Sequence, residues 1–136
     1  MGTRSLTFVY EVNGDPIINL YRQYDGYPTG HGRELCDFLK SFDRITNGIS
    51  VGEEQKTANG MGCLAAQLVA HFKQEVGGFY LHPTTATNCG QDYEYHVSKD
   101  GDTFNIVVEG YNGKEFDGTL AQFDEFVKKQ ETVEAE

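Results

Sequence analysis

Apolar and polar positions alternate over residues 5–12, where Leu6, Phe8, Tyr10 and Val12 share one face, and again over residues 17–24. A period of two is the spacing of a strand with unequal faces. Asn13-Gly14-Asp15-Pro16 between them is a strong turn, so the chain is expected to open on a β-hairpin. On the returning strand Ile18, Leu20, Arg22 and Tyr24 fall on one face, and Asn19, Tyr21 and Gln23 on the other. An arginine at the end of an apolar face predicts a partner near the end of the sheet. The period then lengthens: Leu35, Phe38, Leu39 and Phe42 recur at helical spacing, with Asn47-Gly48 as a stop. Residues 49–58 are polar and irregular, which predicts a mobile segment. Asn59-Gly60-Met61-Gly62 opens a second helix with a stripe of Ala65, Leu68, Val69 and Phe72, ended by Gly77-Gly78.

The later chain returns to short alternating runs. Residues 79–82 read as a strand closed by Pro83, and residues 84–91 as a loop. Residues 93–98 and 103–110 alternate around Lys99-Asp100-Gly101-Asp102, a second hairpin. Asn112-Gly113 turns toward a short edge strand at 114–117. Thr119-x-x-Gln122 is a capping box for a last helix carried by Leu120, Phe123 and Val127, and residues 130–136 read as an acidic, disordered tail. The expected order is ββααββ(β)α. That is an α+β protein with a mainly antiparallel sheet of five or six strands, about three helices packed on it, and one domain over residues 1–129.

Composition narrows the partners. A length of 136 residues suits a single core without staples. The net charge of −10 argues against duplex nucleic acid, which needs neutralised phosphates. The charge is uneven: residues 1–48 carry five Lys/Arg against six Asp/Glu, and residues 49–136 carry six against fifteen. All four arginines precede residue 45, and arginine suits forked recognition of carboxylate or phosphate. Pairing with Glu11, Asp25, Asp37 and Asp43 is the plainer use for them. No apolar run reaches membrane-spanning length, and residue 6 is Leu where a myristoylation signal wants Ser or Thr. Three cysteines, Cys36, Cys63 and Cys89, form no CxxC pair, which fits a reducing cytoplasm.

The densest chemistry lies in residues 21–34, with three tyrosines, two arginines, a histidine, two carboxylates, three glycines and a proline. Gly30-His31-Gly32 and Gly60-Met61-Gly62 both stand at expected helix starts. There, unpaired amides and a partial positive charge favour an anion. If the two ends converge, Arg22, Tyr24, Asp25, Tyr27, Gly30, His31, Gly32, Arg33, Asn59, Gly60 and Gly62 would bind an anionic, nucleotide-like ligand. Ordinary capping explains the same glycines, since neither loop carries the Lys-Ser/Thr of a P-loop. Asp25 also suits an Asx-turn. Cys63 in the first turn of its helix is a candidate nucleophile, with His31 or His82 as base, or a small core residue. The four histidines show no ligand spacing, so no metal site and no cofactor are expected.

Met1-Gly2-Thr3-Arg4-Ser5-Leu6, Tyr24-Asp25-Gly26-Tyr27-Pro28-x-Gly30-x-Gly32 and Ala58-Asn59-Gly60-Met61-Gly62 together resemble a family of small bacteriophage and bacterial proteins without a settled function. The resemblance covers most of residues 1–98. It implies a phage context, the host cytoplasm as location, and by analogy the sequestering of a host nucleotide signal. Three functions follow as expectations. The first is a non-catalytic binding protein for a small anionic ligand. The second is a small hydrolase using Thr3 or Cys63. The third is an acidic inhibitor that docks on a host protein. The edge strand and exposed aromatics permit a homodimer.

Overall fold

The computed structural model describes residues 2–42, 44–46, 57–101 and 103–135. The expected Asn47-Gly48 stop and most of the segment 49–58, expected to be mobile, lie outside them. Six strands form the main sheet: β1 (Ser5–Tyr10), β2 (Pro16–Arg22), β5 (Phe79–His82), β6 (Tyr93–Asp100), β7 (Thr103–Gly110) and β8 (Gly113–Thr119). Their spatial order is β5-β2-β1-β6-β7-β8. Three helices accompany them: α1 (Arg33–Lys40), α2 (Gly60–Phe72) and α3 (Leu120–Ala135). A short parallel pair, β3 (Arg44–Thr46) with β4 (Thr57–Asn59), stands apart from the sheet and feeds α2. The α+β architecture expected from the periodicity is the one found.

Both hairpins close where their turn residues require. Gly14 and Gly101 adopt φ of +96° and +61°, a region open to glycine because it lacks a Cβ. One pairing departs from a plain meander. β1 lies parallel to β6, with Ser5 opposite Tyr93, while every other neighbour in the sheet is antiparallel. The hairpin β1–β2, extended by β5, is thereby joined edge to edge with β6–β7–β8.

The two faces of the sheet differ. Val9, Leu20, Tyr95, Val97, Phe104, Ile106 and Val108 share the core with Leu35, Leu39, Leu64, Leu68, Phe123 and Val127 of the helices. By alternation Ser5, Thr7 and Arg22 point to that helix-covered face as well. Leu6 and Phe8, which share a face as the alternation predicted, lie on the side away from the helices and are nevertheless buried. The crossover from β5 to β6 passes over them, held by the Asn19 side-chain amide donating to the carbonyls of Pro83 and Ala86. Beyond that strap the second face is open, and it carries Tyr10, Tyr21, Tyr80, Glu94, His96 and Glu109.

The end of the chain corrects an expectation. Residues 130–135 continue α3 rather than fraying as an acidic tail. The Glu131 carboxylate takes two hydrogen bonds from the Arg33 guanidinium, at 3.2 and 3.1 Å, which ties the last turns to α1. At the other end of the helix the capping box forms as expected. Thr119 N–H donates to Gln122 Oε1 at 2.9 Å, and Gln122 N–H donates to Thr119 Oγ1 at 3.3 Å.

Candidate functional site

The stretch after β2 is closed upon itself. Asp25 takes a left-handed φ of +62°, which turns its carbonyl back to accept the His31 N–H at 2.8 Å. Residues Pro28–Gly32 wind into a π-helical turn in which the Gly30 and Gly32 amides both donate to the Tyr27 carbonyl. A Cβ on Gly30 would lie 2.5 Å from the Asp25 carbonyl oxygen, and one on Gly26 would lie 2.8 Å from the Arg4 carbonyl carbon. These glycines serve close backbone approach. The amides of this first loop, expected to meet an anion, are already paired. The Asp25 carboxylate accepts the Tyr27 hydroxyl at 3.1 Å.

His31 is fully buried beneath this turn. Arg22 Nη1 can only donate, so Nδ1 of His31, 3.3 Å away, is an acceptor. The ring proton therefore sits on Nε2 and is donated to Thr7 Oγ1 at 2.7 Å. Burial, and then the Arg22 charge, lower the pKa of His31 to about 3, so the ring is neutral. The same Arg22 Nη1 meets Glu34 at 2.6 Å, its Nε donates to the Tyr24 carbonyl, and its guanidinium lies over the Phe79 ring. The partner that Arg22 required near the sheet end is this set. The Tyr95 hydroxyl completes it by donating to the Gly26 carbonyl at 2.7 Å.

The remaining expected ligands go elsewhere. Arg33 faces α3, where Asp124, Glu131 and Asp37 on its own helix surround it. Asp124 also receives Lys40 and Lys128, and this cationic surround holds its carboxyl well below the usual range. Tyr24 and Tyr27 lie at the surface. The two glycine-led starts do not converge. The His31 ring packs 5.1 Å from the ring of Phe72, the last residue of α2. Asn59, Gly60 and Gly62 stand at the other end of that thirteen-residue helix, a rise of about 18 Å away. For the same reason His31 is no base for Cys63, and both its ring nitrogens are already engaged.

A different constellation occupies the open face. Glu94 on β6 stands directly opposite Glu109 on β7, and His96 lies two residues along β6 on the same side. His96 Nε2 is 3.2 Å from Glu94 Oε1 and 3.0 Å from Glu109 Oε1. Its Nδ1 is 2.6 Å from the Tyr10 hydroxyl, and the ring stacks on Phe8 with centroids 5.2 Å apart. Burial, reinforced by Glu94 and Glu109, pushes the Tyr10 phenol up and keeps it protonated. Gln91 Nε2 donates to the second oxygen of Glu94 at 2.8 Å. Beside the cluster a shallow cavity of about 520 Å³ is bordered by Tyr10, Glu11, Val12, Lys99 and Val107. A second cavity of about 590 Å³, at the β5 edge, is bordered by Tyr21, Tyr80, His82 and Cys89.

Glu94, His96 and Glu109 were not singled out by spacing along the chain. The signal lay in the second hairpin: pairing Asp100 with Thr103 across Gly101 brings Glu94 opposite Glu109. The molecule is thus an α+β domain with helices on one sheet face and a half-open polar constellation on the other. Compared with known proteins, the chain matches no family model, no curated protein and no solved structure.

Proposed function

We propose that this is a non-catalytic binding protein whose ligand seats on the open face of the sheet, in the cavity beside Tyr10, His96 and Glu109. The observation that carries this reading is the cavity itself, about 520 Å³ and within the usual range for small-molecule sites. Its floor is a strand surface, so the binding groups stand on rigid elements. Glu11 and Glu109 against the single Lys99 give the rim an acidic balance, and Glu94 lies just behind it. A ligand that brings positive charge or several hydrogen-bond donors suits this lining. The Tyr10 ring offers a stacking surface for its apolar part.

The anionic, nucleotide-like ligand remains a second reading at the start of α2. Gly60 and Gly62 have no heavy atom within 4 Å of an added Cβ among the described residues, so a ligand can approach that backbone. One thermal-shift experiment in the presence of a chelator separates the two. Spermidine as the cationic probe should raise the melting temperature, and the rise should be lost in Glu109→Gln. A rise with mononucleotides alone, lost in Gly60→Ala, would move the site to α2. No rise with either would end the binding reading.

A further inference from the structure

Glu94 and Glu109 present a problem that hydrogen bonding within the protein does not solve. They are cross-strand partners on one face, and like charges placed so are destabilising. Among the described residues neither has a lysine or arginine partner; both turn to the single Nε2 of His96. A neutral imidazole has one proton to offer at that atom and a protonated one also has one, so two carboxylates share one donor. Two of the three residues, His96 and Glu94, are held from behind. Tyr10 fixes the imidazole through Nδ1, Gln91 fixes Glu94 through its other oxygen, and Phe8 supports the ring from below. Outer partners of this kind orient the ligands of metal sites.

We propose that Glu94, His96 and Glu109 bind a divalent transition-metal ion, with Nε2 and one oxygen from each carboxylate as ligands. This rests on the reading that the open face is the binding face. The three donor atoms lie within 4.8 Å of one another and all three residues are half-buried. The Nε2-to-oxygen distances of 3.2 and 3.0 Å are close to the edge of about 3.3 Å expected for a tetrahedron with metal–ligand bonds of about 2.0–2.1 Å. Small rotations of the two glutamates, which stand on adjacent strands, complete the set. A metal on Nε2 requires the ring proton on Nδ1, where the Tyr10 oxygen is placed to accept it.

One imidazole and two carboxylates suit zinc or another first-row ion better than calcium or magnesium, which prefer oxygen alone. Three protein ligands leave a coordination position toward the adjoining cavity, so an anionic or neutral donor group of a ligand could complete the shell. The ion also removes the conflict between the two glutamates, because both then face positive charge.

The test is calorimetric titration of zinc ion into chelator-stripped full-length protein, repeated with Glu94→Gln and Glu109→Gln. The expected result is one equivalent per chain, at least about tenfold weaker binding in each variant, and metal-free variants that melt no lower than the parent. Cobalt(II) should give a visible absorption band in the parent and lose it in both variants. Failure of zinc to saturate a single site overturns the proposal, as does binding unchanged in both variants, which would place the ion elsewhere. If zinc fails while spermidine stabilises the protein through Glu109, the metal falls and the open-face reading stands. If neither binds, both fall.

Discussion

At the scale of single residues, His31 is the clearest example of chemistry spent on architecture. Its position between two glycines suggested a ligand group, but burial and two hydrogen bonds make it the pin that fastens the π-helical turn to β1. The unfolded chain takes up a proton on this ring near pH 6.5, whereas the folded protein resists it down to about 3. The contribution of His31 is therefore complete above about pH 6.5 and is lost progressively as the pH falls, by up to about 1.4 kcal/mol per pH unit. Urea unfolding between pH 7 and 4.5 should show falling stability, with a shallower slope in His31→Gln. An unchanged slope would mean the ring is not held neutral. The glycines around it were visible in sequence as glycines, but their purpose was not. Gly30 and Gly26 serve carbonyl groups that approach from residues nearby in space, and no spacing rule announces such an approach.

At the scale of elements, periodicity located the hairpins, the first turn of α3 and the stripes of α1 and α2, because each is a local property. In β1 it did not tell which face meets the helices, for a physical reason. Leu6 and Phe8 look like the core face, yet the helices cover Thr7 and Val9, and the strap between β5 and β6 covers the apolar pair instead. A strand buried on both sides carries no honest alternation. The end of α3 was hidden in another way. Acidic composition suggested a solvated tail, while the cation that holds it, Arg33, lies ninety-eight residues earlier. A chain ending at Lys129 loses the Glu131 contacts and should melt at lower temperature, with the deficit shrinking at high salt because these pairs are partly exposed. Arg33→Ala should reproduce most of that deficit. An unchanged melting temperature in both would show that the last turns add nothing.

For the whole molecule, the sheet order decides which parts are secure. β1 and β6 have neighbours on both sides and lie at the centre, while β5 and β8 are edges. Amide exchange should therefore be slowest in 6–9 and 95–97 and fastest in 79–82 and 113–117, since edge strands open without disturbing the core. Equal protection of β5 and β1 would contradict this order. The candidate site spans the secure part: Tyr10, Glu94, His96 and Glu109 come from three adjacent strands, β1, β6 and β7. A ligand there is read by groups whose spacing the sheet fixes, whereas the residues first suspected, around Tyr24 and Tyr27, sit on its rim. No helix among the described residues is long and apolar enough to cross a membrane.

The parallel contact between β1 and β6 has a consequence for how the chain is made. Ser5 meets Tyr93, so β1 must wait for the synthesis of eighty-eight more residues before its second neighbour exists. At ordinary translation speeds that delay is on the order of ten seconds. Throughout it, the free side of β1 is an unpaired edge, and Leu6 and Phe8 are bare until the crossover follows them out. The β1–β2 hairpin of the nascent chain thus carries one unpaired border that only β6 can cover.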